Sequence, residues 1–360
     1  MQRTALYDWH VAHGGRMVDF AGWEMPIQYS TITEEHAAVR QRVGMFDIAH
    51  MGRLIFSGPD AETFLNRILT NDVSRLKTGQ VRYSLVCKET GGILDDVLIY
   101  KLEQHFMLVV NASNRPKIVS WIEEHRGGFN VEFVDRTTEW FMLALQGPRS
   151  LELLQPLTNV TLSAMKYYSV ADGEVCGVRG NISRTGYTGE DGFEIIVPVS
   201  AGRQVWEALM QAGSAYGIAP CGLGCRDTLR LEAAMPLYGH EMDEQTDPFT
   251  AGLAFGVKLD GGAFFGKSAL EAAKARTDRP VRVGLELEGK RIAREGAELC
   301  SGDRVVGKVT SGTFSPTLEK AIAMGYVPAD LAAPGTALEV DIRGKRVPAK
   351  VVPLPFYKRS

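Results

Sequence analysis

The stretch Arg82-Tyr83-Ser84-Leu85-Val86, Glu89-Thr90-Gly91-Gly92, Ile93-Leu94-Asp95-Asp96-Val97-Leu98-Ile99-Tyr100 reads as two strands about a glycine turn. Phe106 to Asn111 continues as a third strand, and Asn114 to Glu124 turns to helical spacing. A β-β-β-α order of this kind is an α+β sheet with helices on one face. Upstream, Ile32 to Val43 predicts a helix with Thr33 as its cap, and Ala61 to Leu69 predicts another after Gly58-Pro59-Asp60.

Downstream the order recurs. Strands are expected at Phe141–Leu145, Val175–Ile182 and Phe193–Val197, and helices at Ser150–Leu157, Gln204–Ala212 and Arg226–Ala234. Two related α+β modules are therefore expected within residues 1–277. From about Asp278 the pattern changes to strands and turn glycines: Val281–Leu287, Arg304–Thr310, Lys320–Val327 and Ala337–Val351. Residues 278–360 are read as a separate C-terminal, β-barrel-like domain.

The chain has 360 residues, ample for a core without staples. Forty Lys and Arg against 43 Asp and Glu show no basic excess, so a nucleic-acid partner is not expected. Five scattered cysteines with no CxxC pair fit a reduced, cytoplasmic setting. No signal-like or membrane-spanning run is read, so no membrane partner is expected.

Three motifs tempt a cofactor reading. Gly261 to Ser268 fits GxxxxGK[ST], but Phe264 and Phe265 are awkward around a phosphate and no βαβ unit follows. Cys221-Gly222-Leu223-Gly224-Cys225 lacks the third glycine of a dinucleotide loop and a second pair for metal. It is read as a turn feeding a helix near Arg226. His10 and His13 lack a nearby cysteine to complete a ligand set. No metal and no flavin are expected.

Two acidic segments carry more. On the Ile93–Tyr100 strand, alternation places Asp95 with Ile93, Val97 and Ile99, and Asp96 with Leu94, Leu98 and Tyr100. Both faces are otherwise apolar, so at least one carboxylate is expected in a desolvated setting with a raised pKa, suited to orienting or exchanging protons. The other reading is a buried Asp that binds backbone amides in a turn, and the pattern leaves both open. In Arg184 to Glu194, three glycines allow close ligand approach. Glu194 opens a strand opposite Phe193 and Ile195, where a carboxylate can accept two hydrogen bonds from a planar amidine-like edge such as a pterin's. A surface hairpin with solvated acids is the alternative.

Residues Met17 to Pro26, Gly44-Met45-Phe46-Asp47-Ile48-Ala49-His50-Met51-Gly52, Gly91 to Asp96, Gln146-Gly147-Pro148, Arg184 to Glu194, Gly224 to Ala233 and Thr310 to Thr317 resemble the aminomethyltransferases, the T-proteins of glycine cleavage. The likeness runs in order from Thr4 to Tyr357. It implies a three-domain, cloverleaf-like arrangement with tetrahydrofolate, the acceptor substrate, in a central channel. It implies transfer of an aminomethyl group from the lipoyl arm of H-protein to tetrahydrofolate, releasing ammonia. By the same resemblance Asp96 is the catalytic aspartate near the folate nitrogens, Glu194 holds the pterin and Arg226 contacts folate. Tyr83, Asn111 and Tyr187 are pocket residues, Met51 lines the cavity, Arg294 faces the folate or the incoming arm, and Tyr357 closes the site. Met235 departs from relatives that carry an aromatic there. The rival class is a non-catalytic folate-binding protein related to iron–sulfur assembly factors. Its cysteine-containing KGCYxGQE-like stretch is missing from Arg184 to Glu194.

Overall fold

The computed structural model describes residues 1–359. Among these the strands form three open sheets and one closed barrel, with helices between. The fold is mixed α+β, as read from the sequence.

The first large sheet has the order Gln80–Cys87, Ile93–Lys101, Phe106–Val110, Gly52–Ser57, Glu132–Asp135. Helices Ala61–Ile68 and Arg115–His125 cover one face, and Leu54, Phe64, Leu65, Val97, Ile99, Ile118 and Ile122 fill the space between. The second has the order Val170–Val175, Val178–Ser183, Gly192–Pro198, Trp140–Gln146, Val43–Asp47, Ile218–Pro220. Its outer face packs on helix Val199–Gly213 through Phe141, Phe193, Ile195 and Trp206. The two modules are interleaved: Val43–Asp47 precedes the first sheet in the chain but pairs within the second, Leu143 opposite Asp47. Phe46, Tyr100, Met107, Val109, Met142 and Ile196 form a shared core between the modules.

Helix Leu223–Glu232 links this body to the barrel. Leu231 and Ala234 pack on Ile322 and Met324 of the barrel wall. The barrel closes in the order Val281–Leu287, Lys320–Val327, Arg304–Ser315, Glu298–Ser301, Ala337–Ile342, Lys345–Val352. Closure leaves no free edge.

Local chemistry explains where the elements depart from expectation. The first long helix is Ile32–Gln41, and its cap is Thr31 rather than Thr33. Thr31 Oγ1 accepts the Glu34 N–H, and Glu34 Oε2 accepts the Thr31 N–H, each at 3.2 Å. Val43, expected in that helix, begins a fully buried strand. Val175–Ile182, expected as one strand, is a hairpin turning at Cys176-Gly177, both at positive φ. Ala337–Val351 likewise turns at Arg343-Gly344. Such two-residue turns match strand twist, but neither pair carries the usual Asn or Asp. The helix expected to Leu157 runs Ser150–Leu154 and tightens into a 3-10 turn, Gln155–Leu157, at Pro156.

The GxxxxGK[ST] look-alike is pinned to the first sheet. Phe264 is buried among Leu85, Cys87 and Leu270. The Arg67 guanidinium lies over the Phe265 ring at 4.5 Å. Lys267 Nζ donates to the carbonyls of Gly261 and Gly262, at 2.8 and 3.3 Å. No helix among the described residues is long and apolar enough to cross a membrane.

Candidate active site

A cavity of about 1310 Å³ lies where the two modules, helix Leu223–Glu232 and the barrel meet. Met51, Tyr83, Asp96, Asn111, Tyr187, Glu194, Arg226 and Arg294 all line it. These residues lie up to 243 positions apart in sequence, counted from Met51 to Arg294.

One polar group comes from the first sheet. Asp95 and Asp96 face opposite ways, but a bulge changes their company. Val86 pairs with Asp95 while Cys87 pairs with Ile93, so Leu94 is the extra residue. Ile93 therefore joins Asp96's side, beside Leu85, and Leu94 joins Val97 and Ile99. The expected pairing of Asp95 with Ile93 and of Asp96 with Leu94 is reversed, because a bulge breaks strict alternation.

The two readings left open for this pair divide between its members. Asp95 is fully buried. It accepts the Asn111 N–H at 3.0 Å, Asn111 Nδ2 at 2.8 Å and Asn114 Nδ2 at 2.6 Å, tying the strand to the start of helix Arg115–His125. Asp96 opens into the cavity. Asn111 Nδ2 also donates to Asp96 Oδ1 at 2.7 Å, and the Tyr83 hydroxyl donates to Oδ2 at 3.3 Å. Burial pushes both carboxyl pKa values up, and the neighbouring Asp96 charge raises Asp95 further.

A second polar group comes from the Gly192–Pro198 strand and helix Leu223–Glu232. Phe193 and Ile195 point into the module core, which turns Glu194 the other way. Thr185 Oγ1 donates to Glu194 Oε2 at 2.5 Å, while Oε1 has no protein partner among the described residues. Burial raises the Glu194 pKa against the opposing pull of Thr185 and the Arg226 charge. The Arg226 guanidinium lies 4.9 Å from the Tyr187 ring centre and makes no ion pair among the described residues.

The turn before Glu194 is no solvated hairpin. Gln146 of the Gln146-Gly147-Pro148 motif donates to Thr185 O at 3.0 Å and accepts from Thr188 Oγ1 at 2.8 Å. A Cβ on Gly186 would come within 2.0 Å of Gln146 Oε1, so a larger residue there would displace the amide that holds this turn. Glu190 is buried and pairs with Arg40 at 3.0 Å.

The model of the GCVT N-terminal domain family matches residues 6–261, and that of the glycine cleavage T-protein C-terminal barrel domain matches residues 281–358. The chain belongs to the glycine cleavage T-protein family. An aminomethyltransferase of Symbiobacterium thermophilum is 49% identical over 99% of this chain and 98% of that protein. One from Streptomyces coelicolor is 49% identical over 100% of this chain and 98% of its own length. The crystal structure of glycine cleavage system aminomethyltransferase T from Bartonella henselae superposes with a TM-score of 0.92 at 35% identity. It covers 99% of this chain and 98% of its own.

Within this T-protein fold Tyr357 is misplaced by the sequence reading. It does not line the cavity. Its ring covers the Arg40 guanidinium at 4.0 Å, and its N–H donates to Glu232 O at 2.8 Å. The C-terminal segment thus braces the end of helix Leu223–Glu232. Conversely, Tyr168, Phe255, Tyr238 and His50 line the cavity without having been singled out. Tyr168, at φ +62, sits in a strained turn that no local pattern announces. Phe255 is 61% exposed, its ring centre lies 5.1 Å from that of Tyr83, and it stands in the 3-10 turn Ala254–Gly256, which reads as ordinary surface.

The Cys221 and Cys225 thiols lie with the Glu35 carboxylate within 4.8 Å of one another. That carboxylate accepts the N–H groups of Tyr29, Ser30 and Gly222, and the thiols donate to carbonyls of Glu35, Ala219 and Gly222. Burial pushes the Cys225 pKa up, toward the thiol and away from the metal-binding thiolate. Here the cluster ties helix Ile32–Gln41 to the start of helix Leu223–Glu232.

Proposed function

We propose that this chain is the tetrahydrofolate-dependent aminomethyltransferase of glycine cleavage. It moves the aminomethyl group from lipoyl H-protein to tetrahydrofolate, with ammonia and methylenetetrahydrofolate as products. The observation that carries this reading is one cavity holding two separated polar groups. Asp96, Asn111 and Tyr83 form one, Glu194 and Arg226 the other, and Tyr187 lines the same cavity with its ring centre 4.9 Å from the Arg226 guanidinium. Family membership and the full-length likeness to aminomethyltransferases support it.

In this reading the free Glu194 oxygen and its Thr185-bound partner accept the amino group and adjacent ring N–H of the pterin together. The pterin nitrogens are thereby delivered toward Asp96. The transferred carbon lies between sulfur and nitrogen and is already activated, so positioning supplies much of the rate. Asp96, held by Asn111 and Tyr83, hydrogen-bonds the folate nitrogen and stabilises the iminium that develops as the carbon moves. Its raised pKa brings proton exchange nearer to neutral pH. The lipoyl arm reaches the carbon past Phe255 and Phe20, both cavity-lining and exposed, an apolar rim suited to an aliphatic chain. Arg294 stands on the barrel side of the same cavity, placed for the folate or the arm.

The chemistry needs neither metal nor flavin, and the reaction belongs in the cytoplasm with H-protein and folate. Purified protein should release ammonia from aminomethylated H-protein only when tetrahydrofolate is present. Ammonia release at equal rate without folate, or none with it, would overturn the reading. No structural observation favours the non-catalytic alternative.

A further inference from the structure

Three buried histidines can be compared. His10 spends both ring nitrogens, on Asp47 at 2.9 Å and on the Tyr29 hydroxyl at 2.7 Å. His36 does the same, on Thr228 at 2.7 Å and Thr317 at 2.9 Å. His50 is different. It is 2% exposed and lines the cavity, yet Nδ1 has no partner at all and no protein group among the described residues bonds the other nitrogen.

A buried polar group left unpaired costs stability, so such groups are rare and call for an explanation. Charging the ring does not supply one. Burial, reinforced by the Arg226 charge, pushes the His50 pKa down to about 3, and the imidazole is neutral at physiological pH. A neutral imidazole carries one N–H donor and one bare nitrogen acceptor, and here neither is spent on the protein. Phe20 packs edge-on against the ring at 5.4 Å. His50 lines the same cavity as Arg226 and Glu194.

We propose that His50 is a direct hydrogen-bonding ligand of the bound tetrahydrofolate, a neutral imidazole whose partner is supplied by the heteroatom-rich pterin. This rests on the cavity being the folate site. The pterin offers ring N–H donors as well as carbonyl and ring-nitrogen acceptors. His50 Nε2, the ring nitrogen that is not shut in, offers a donor or an acceptor according to tautomer, without bringing a second cation beside Arg226. The position lies inside the Gly44–Gly52 stretch, where the chain leaves the buried Val43–Asp47 strand.

The test is anaerobic calorimetric titration of wild type, His50→Leu, His50→Asn and Glu194→Gln with tetrahydrofolate, alongside melting curves of the free proteins. His50→Leu should weaken binding about three- to tenfold, the worth of one neutral hydrogen bond. It should keep or raise the Tm of the free protein, because an unpaired polar group has gone. His50→Asn, which retains a donor and an acceptor, should fall between. With ¹⁵N-histidine-labelled wild type, the His50 ring-nitrogen signals should move on adding tetrahydrofolate. Unchanged affinity in His50→Leu with unmoved ring signals would overturn the proposal and mean that water satisfies the ring. If His50→Leu does not fold, His50→Asn and the labelled wild type decide. Wild type that fails to bind tetrahydrofolate defeats the folate reading and this proposal with it. Weakened Glu194→Gln beside unaltered His50→Leu defeats this proposal alone.

Discussion

Asp95 and Asp96 are chemically identical neighbours with different work, and the difference is countable in hydrogen bonds. Asp95 takes three from Asn111 and Asn114, whereas Asp96 takes two and faces the cavity. Asp96→Asn should lower turnover on the order of 10²-fold or more, the range of general acid–base and electrostatic effects. It should also reveal the pKa shift as a stability effect. A carboxyl whose folded pKa is raised favours the fold while protonated. That contribution is complete below the unfolded pKa of about 3.9 and is lost as pH rises through the folded value. The folded value of Asp96 is pushed up by burial, so the Tm of Asp96→Asn minus that of wild type should grow as pH rises above about 4. A constant gap across melting curves at these pH values would mean that the carboxyl is not perturbed. Asp95→Asn should instead lower the Tm, since its new NH₂ confronts donors.

Glu194 and Glu190 make a second contrast at this scale. Glu194→Gln puts a donor against donors of the pterin. Loss of a charge-assisted contact costs roughly 1.5–3 kcal/mol, so tetrahydrofolate should bind about ten- to a hundredfold more weakly by calorimetry. Glu190→Gln weakens the buried pair with Arg40 and should show in the Tm rather than in affinity. Equal affinities for wild type and Glu194→Gln would place the pterin elsewhere.

Among the elements, those with strong periodicity were legible in the chain, and the errors gather at turns. The Cys176-Gly177 and Arg343-Gly344 hairpins leave no mark in the sequence because their turn residues lack the usual side-chain signal. The bulge at Leu94 was invisible because it depends on the partner strand. Two element-scale tests follow from local geometry. Thr31→Ala removes one half of the capping box and should destabilise the protein by about 1 kcal/mol in denaturant titration, with turnover unchanged. An unchanged denaturation midpoint would show that packing, not the cap, holds the helix start. Lys267→Ala removes only bonds to two loop carbonyls, so aminomethyl transfer should change by no more than about a few fold, and ATP should not raise the Tm. A saturable, Mg²⁺-dependent Tm rise with ATP would restore the phosphate-loop reading.

At the scale of the whole molecule, buried carboxylates tie the barrel to the modules. Glu241 binds Arg230 at 2.9 Å and accepts the Thr310 hydroxyl at 2.6 Å, while Arg230 also donates to Ser311 at 2.8 Å. Glu232 accepts from Ser315 and Thr317 of the barrel side and from Arg40. Breaking such a buried pair strands a charge. Glu241→Gln should cost about 3 kcal/mol or more and make the segment between the modules and the barrel more sensitive to limited proteolysis. Wild-type stability in that variant would mean that apolar packing of Leu231 on Ile322 and Met324 carries the junction.

The chain by itself determined the α+β class and the barrel-like character of its C-terminal part. It also marked the two acidic segments and the glycine turn that precedes Glu194. These follow from alternation, turn residues and apolar spacing, which act over a few neighbours and are written locally. Tertiary structure decided which aspartate faces the cavity, because a bulge is a property of two paired strands. It decided that Tyr357 braces a helix instead of closing the site, and that Glu190 is buried against Arg40. It also left His50 without a partner. Each of these depends on groups that come together only when the sheets and the barrel pack, and no spacing along a single strand encodes that distance.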